Sequence, residues 1–128
     1  MLHYTTIVTL LAVAFYFFIS TRVAAARAKF NVKLPATTGD PGFERIYRVQ
    51  MNTLEWMPIF LPLLWLSAIY FSDIASALVG LLWLVGRILY FRGYSVAVEK
   101  RLPGFLIQAM ACIFLFIGAV TGLLMDFL

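Results

Sequence analysis

The sequence predicts an all-α, integral membrane four-helix bundle that forms a single domain over residues 1–128. Composition is the first reason: 63% of the residues are hydrophobic and 12% are charged. A soluble domain of this length cannot bury so much apolar surface. The second reason is the pattern, because four long apolar segments are separated by short breaks rich in Gly, Pro or Ser. No segment alternates apolar and polar residues as a strand does.

The helices are predicted at about 2–30, 43–72, 74–100 and 103–127. The first apolar run, Leu2–Thr21, contains no Lys, Arg, Asp or Glu. It is also compatible with a signal peptide that ends at Ala24–Ala26, but it lacks a basic start and exceeds the usual apolar length. We therefore expect a retained helix. Helix-breaking residues separate the segments at Pro35–Gly42, Ser72–Asp73 and Leu102–Gly104.

The basic residues predict the orientation of the bundle. All ten Lys and Arg residues fall within Arg22–Arg48 and Arg87–Arg101. Short connections rich in Lys and Arg remain in the cytosol, so we expect both of these connections in the cytosol and both termini on the opposite side. The membrane would be a bacterial inner membrane or the endoplasmic reticulum, and the basic face would also attract anionic membrane lipids.

Polar residues run along one face of the second helix, and a matching face follows on the third. Spacings of three or four residues align the first set, Arg45, Arg48, Asn52 and Glu55. The second set is Arg87, Tyr90, Tyr94 and Arg101. Ionisable groups near hydrocarbon usually face a protein interior or a polar cavity. The two faces therefore predict a pocket open to the cytosol. Guanidiniums hold carboxylates, and a carboxylate holds an ammonium, so the ligand should be a small zwitterion with net negative charge.

Simpler interpretations of the same residues remain open. Glu44 and Arg48 are spaced as a solvated helix pair, and Tyr90 and Tyr94 as interfacial aromatics. Counting ~1.5 Å of rise per residue from the turn at Ser72–Asp73 places Asn52 and Tyr94 at the same depth in the membrane. This match in depth favours a shared pocket over the simpler interpretations.

The sequence contains no pattern for a metal site or a nucleophilic triad. His3 is the only histidine, and Cys112 is a lone cysteine that we interpret as a small buried side chain. No nucleic-acid partner is expected. Gly118 and Gly122 form a GxxxG motif, which indicates close helix packing.

Two segments carry a resemblance to a known family. They read PATTGDPGFERIYRVQMNTLEWMPIFLPLLWL and GRILYFRGYSVAVEKRL. In the pattern Arg-x-Gln-x-Asn-x-x-Glu, and in the tyrosines and arginine that follow, the chain resembles the MAPEG family of membrane-bound glutathione-dependent proteins. The likeness extends from Arg27 to Leu102 and is nearest to the branch of leukotriene C synthases and microsomal glutathione transferases.

The resemblance implies a homotrimer that binds glutathione between subunits. Positions that match glutathione contacts are Arg48, Asn52, Glu55, Tyr90 and Tyr94, with Arg27 and Gln50 supplied by the neighbouring subunit. Arg101 matches the arginine that stabilises the thiolate, and is the expected catalytic residue. We add Arg87 from the pocket, and Trp56, which replaces a tyrosine of that branch. At two positions that the leukotriene C synthase branch uses for its lipid substrate, this chain differs: Ala28 replaces an arginine and Ile113 replaces a tryptophan.

The implied function is a membrane-bound glutathione transferase with a detoxifying role. It would activate its co-substrate glutathione as a thiolate and conjugate lipophilic electrophiles from the bilayer, or reduce lipid hydroperoxides as a peroxidase. The departures at Ala28 and Ile113 argue against a leukotriene-specific role. The alternatives are a non-catalytic lipid-binding MAPEG protein, a glutathione-dependent isomerase and a small multidrug transporter. The transporters rely on a glutamate in the first helix, which this chain lacks.

Overall fold

The computed structural model describes all residues from 1 to 128 and contains helices but no strand. A short 3₁₀ segment, Val98–Arg101, precedes the last of four long helices. These are α1 (His3–Lys29), α2 (Pro41–Tyr70), α3 (Asp73–Val96) and α4 (Leu102–Phe127). Each of the four is long and apolar enough to cross a membrane. The predicted all-helical architecture with four spans is therefore confirmed.

The centre of the bundle is the contact between α2 and α3. Phe60 of α2 stacks on Trp83 of α3, with ring centroids 3.9 Å apart and planes 3° from parallel. Both side chains are fully buried. α1 and α4 each pack on α2 and α3, and contribute Val8 and Cys112 to the same core. Cys112 is 4% exposed, so its interpretation as a buried side chain is confirmed.

Both termini lie at the same end of the bundle as the turn between α2 and α3. The carboxylate of Asp73 accepts hydrogen bonds from the Thr5 N–H (2.9 Å), the Thr5 hydroxyl (2.6 Å) and the Tyr4 N–H (3.2 Å). N–H groups in the first turn of a helix lack partners within the helix, and Asp73 satisfies two of those in α1. Gly122 of α4 packs directly on the Tyr70 carbonyl and leaves no room for a Cβ atom. This contact confirms close packing at the GxxxG motif.

The opposite end, which we call the basic end, contains the α1–α2 connection and the 3₁₀ segment. α3 ends at Val96, four residues before its predicted end at residue 100. Ala97 is extended, with φ −159° and ψ 146°, and the chain then folds back so that the Lys100 carbonyl lies against Gly93. Arg101 is therefore placed by this fold-back, and not by a continuous helical face shared with Tyr94.

Candidate functional site

Arg87 anchors the polar groups between α2 and α3. Its side chain is fully buried, and its two terminal nitrogens donate to the Asn52 amide oxygen at 2.8 Å and to the Thr53 hydroxyl oxygen at 2.7 Å. Thr53 in turn donates to the Val49 carbonyl at 2.7 Å. Because the guanidinium is planar and rigid, these two bonds fix the position of the Asn52 side chain. Arg87 is thus engaged inside the chain and presents no surface to a ligand.

Two tyrosines extend this anchor towards the basic end. The Arg87 guanidinium lies over the Tyr90 ring, 4.4 Å from its centroid. Tyr90 meets Tyr94 edge-on, with centroids 5.4 Å apart, and the Arg101 guanidinium lies 6.0 Å from the Tyr94 centroid. Cations over aromatic faces are stabilised by the ring quadrupole. Four of the predicted residues therefore form one continuous column, with a buried arginine at its base and an exposed one at its top.

Arg48 and Glu55 form the single salt bridge of the chain, with Arg48 Nη2 3.6 Å from Glu55 Oε1. The simpler interpretation required Arg48 to pair with Glu44, but Arg48 pairs with Glu55 instead. The two side chains are 53% and 59% exposed. An exposed pair at this distance contributes little to stability, so both groups are available to exchange partners. Asn52 lies between them in the sequence and is held by Arg87.

A cavity of about 250 Å³ lies at the end of this face. It is lined by the first turns of α2, the end of α3 and the 3₁₀ segment, through Pro41, Glu44, Arg45, Arg48, Tyr94 and Val98. Arg48 and Tyr94, predicted from separate helices, thus meet at one opening. The polar groups at the cavity are two guanidiniums, one phenol and the carboxylate of Glu44, so cations outnumber anions by one. Arg101 is exposed, and its Nη1 donates to the Val98 carbonyl at 2.8 Å, so it stands beside the same opening.

Comparison with known proteins adds to this geometry. A sequence model of the MAPEG family matches residues 5–121. Leukotriene C4 synthase of Bos taurus is 45% identical over 121 residues, which cover 94% of this chain and 81% of that protein. The chain belongs to the MAPEG family. Microsomal glutathione S-transferase 2 of Mus musculus is 40% identical, over 94% of this chain and 82% of that protein. An uncharacterised protein of Synechocystis is 47% identical, over 92% of this chain and 86% of that protein.

Two predicted site residues of this MAPEG chain, Arg27 and Gln50, make hydrogen bonds within the chain. Arg27 Nη1 donates to the Ala36 carbonyl at 2.7 Å, and its guanidinium lies 4.7 Å from the Phe43 centroid. Gln50 Nε2 donates to the Ser20 hydroxyl oxygen at 3.1 Å. Neither side chain joins the column or the salt bridge. Within this chain, Arg27 Nη2 and the amide oxygen of Gln50 have no hydrogen bond. That these two residues reach the site of a neighbouring subunit stays a prediction.

Trp56 lies on the α4 side of the site. Its ring is half-buried and meets Phe105 edge-on, with centroids 5.7 Å apart. Sequence reasoning had not identified Thr53 as part of the site. The only signal was a hydroxyl next to Asn52 in an otherwise apolar stretch, and such hydroxyls usually bond to their own backbone. Thr53 does this and also accepts from Arg87.

Proposed function

We propose that this MAPEG protein is a membrane-bound glutathione transferase that conjugates lipophilic electrophiles. The observation that carries the proposal is the exposed Arg48–Glu55 pair on a helix that crosses the membrane, with the amide of Asn52 held between them by buried Arg87. The relatives support the reaction class, because one of them is a microsomal glutathione S-transferase.

The charges on this face match those of glutathione, which has two carboxylates, one ammonium and one thiol. When glutathione binds, Arg48 would release Glu55 and hold a carboxylate, and Glu55 would hold the ammonium. Breaking the existing pair costs little because both groups are more than half exposed. Bound glutathione would exclude water from the new pairs, and charge-assisted hydrogen bonds are stronger in such an enclosed site than in the free chain. Asn52 and Tyr94 would fix the orientation of the peptide.

The proposed catalytic residue is Arg101, which would stabilise the glutathione thiolate. Lowering a thiol pKa from ~8.5 to ~6.5 requires about 2.7 kcal/mol of preference for the thiolate. One hydrogen bond to a charged group provides roughly 1.5–3 kcal/mol, so a single guanidinium is sufficient. The thiol proton would pass to solvent at the basic end. The sulfur would then bond to an electrophilic carbon delivered from the bilayer, and the electron pair of the bond broken at that carbon would go to a leaving group or to an atom that takes a proton from solvent. With a lipid hydroperoxide, two glutathione molecules would instead be oxidised to the disulfide, while the O–O bond breaks and the peroxide is reduced to an alcohol and water.

We further propose a homotrimer with its sites at subunit boundaries. Glu55 lies near the middle of α2 and is 59% exposed in the single chain. A charged side chain facing hydrocarbon is costly, so a second copy of the chain would shield Glu55 from the lipid while leaving the site open to water at the basic end. Arg27 and Gln50 would then reach the glutathione of a neighbour. Mass measurement of the detergent-solubilised protein should show three chains, and a fully active monomer would exclude shared sites.

Calorimetric titration with glutathione tests the proposed function. Glu55→Gln preserves shape but cannot balance the ammonium, and Arg48→Ala removes the carboxylate partner. Loss of one member of a desolvated charge pair typically costs ~2–5 kcal/mol of binding. Lys33→Gln, in the exposed α1–α2 connection, changes charge without touching the site and should bind as wild type does. Wild-type binding by both site variants would show that the pocket is misplaced. Absence of glutathione binding in the wild type would favour a non-catalytic lipid-binding protein.

A further inference from the structure

A second polar cavity lies at the basic end, on the other side of Arg45 from the opening beside Arg48. It has a volume of about 360 Å³ and is bounded by α1, α2 and α3. We call it the basic groove and define it by its polar lining residues, Arg22, Lys29, Arg45 and Ser95. Three of these four are cations, and no Asp or Glu lines the groove.

The positive charges of the basic groove have no counter-ion within the protein. The only salt bridge of the chain is between Arg48 and Glu55. Arg22 and Lys29 instead lie over aromatic rings. Arg22 is 5.7 Å from the centroid of Phe18 in the same helix, and Lys29 is 5.2 Å from the centroid of Phe30, just after the end of α1. Arg45 donates through Nε to the Ser95 carbonyl at 3.4 Å. Like charges that converge on one cavity repel one another, so an anion between them would be stabilised by all three.

The groove lies at the depth of the phospholipid headgroups. Arg22 is about 29 Å along α1 from His3, and Ser95 is about 33 Å along α3 from the start of that helix. Both positions fall at the edge of a hydrocarbon layer of ~30 Å. Directly below, Phe18 of α1 meets Phe91 of α3 edge-on with centroids 6.0 Å apart, and Phe18 remains 46% exposed. A ligand with a charged head and apolar tails would contact both parts.

We propose that the basic groove binds the headgroup of an anionic phospholipid. The phosphate lies among Arg22, Lys29 and Arg45, and the acyl chains descend past Phe18 along the outside of α1. Anionic headgroups are recognised in this way by basic pockets between membrane helices. The depth of the groove and the aromatic pair below it favour a lipid over a soluble phosphate. The proposal is independent of glutathione chemistry.

Native mass spectrometry of the detergent-solubilised protein, titrated with phosphatidylglycerol or phosphatidylcholine, tests the proposal. The variant is the double substitution Arg22→Gln with Lys29→Gln. Arg45 is left intact because it also lines the cavity next to Arg48. Wild type should retain phosphatidylglycerol in preference to phosphatidylcholine. At roughly a fivefold effect for each basic residue near a membrane surface, the double variant should bind phosphatidylglycerol about 25-fold more weakly. Its glutathione affinity should match wild type, which separates this site from the proposed active site.

The matched control is Lys33→Gln with Lys100→Gln, which removes the same charge from exposed positions at the same end. It should retain phosphatidylglycerol as wild type does. Equal weakening in both double variants would reduce the effect to general attraction and overturn the proposal. Inorganic phosphate and glycerol 3-phosphate serve as soluble probes. If either displaces phosphatidylglycerol at a similar concentration, the groove is a soluble-anion site and the lipid assignment fails.

Discussion

Replacing Arg87 by leucine tests how the polar column acts on a ligand. Leucine fills part of the buried volume and removes both hydrogen bonds, to Asn52 and to Thr53. Thr53 keeps its bond to the Val49 carbonyl, and Asn52 is half-buried and reaches solvent. Neither partner is therefore stranded without water or backbone. Removing a buried charge can offset the loss of its partners, so we expect the Arg87→Leu protein to fold and assemble.

We expect Arg87→Leu to weaken glutathione binding, and the loss should not exceed the contribution of Asn52 to that binding. If Asn52 donates to a glutathione carboxylate, this hydrogen bond to a charged group contributes about 1.5–3 kcal/mol, or roughly 12- to 150-fold in affinity. If Arg87 acts only by holding Asn52, then Arg87→Leu cannot weaken glutathione binding more than Asn52→Ala does. The double variant should then be no weaker than Asn52→Ala alone, because both substitutions remove the same interaction.

Calorimetry on the four proteins of this cycle gives the coupling between the two residues. Thermal unfolding and sedimentation of each variant exclude loss of fold as the cause. Independent, additive losses at Arg87 and Asn52 would refute the reasoning, since they would mean that Arg87 contacts glutathione itself. Unchanged affinity in Arg87→Leu would mean that Asn52 needs no anchor.

Three further predictions follow from other parts of the structure. Arg101→Ala should preserve glutathione binding but raise the thiol pKa of bound glutathione and slow turnover at neutral pH, with partial recovery at high pH; the thiolate absorbance of wild type and variant, followed against pH, would superimpose if Arg101 has no such role. Asp73→Ala should lower the unfolding temperature because it uncaps the first turn of α1 at Thr5, whereas Asp126→Ala near the C-terminus should not; equal shifts would deny the cap. A cysteine introduced at Thr38 should be labelled from the cytosolic side only, and labelling from the other side would reverse the proposed orientation.

The positions of the four helices could be predicted because long apolar runs and helix breakers are local signals. The end of α3 could not be predicted in the same way. Nothing in the hydrophobic periodicity near Val96 indicates that the helix ends there. The fold-back depends on the missing Cβ atom of Gly93, which leaves room for the carbonyl of Lys100, seven residues later. The cap on α1 is also hidden in the sequence, since Thr5 and Asp73 are 68 residues apart. Contacts between distant segments decide both features.

Spacing along the helices predicts the polar residues of the candidate site, but it does not predict which of them bond to one another. Counting along the helices placed Asn52 level with Tyr94, whereas the structure bonds it to Arg87. A rise per residue locates the backbone, and the long arginine side chain extends well beyond its own Cα position. Burial separates the arginines further, because Arg87 is fully buried while Arg48 is more than half exposed.

That difference in burial explains why α2 needs both kinds of polar contact. A buried arginine is tolerated when hydrogen bonds replace its lost hydration, and Arg87 meets this condition at both terminal nitrogens, while its buried Nε has no hydrogen-bond partner. It can hold Asn52 in place but cannot exchange partners at low cost. Arg48 and Glu55 have the opposite properties, since their pair is long and exposed and is readily replaced by charges of a ligand. The glutathione site that we propose would bind and release a charged peptide at a membrane surface. It would combine a fixed amide with an exchangeable ion pair, and one face of α2 carries both.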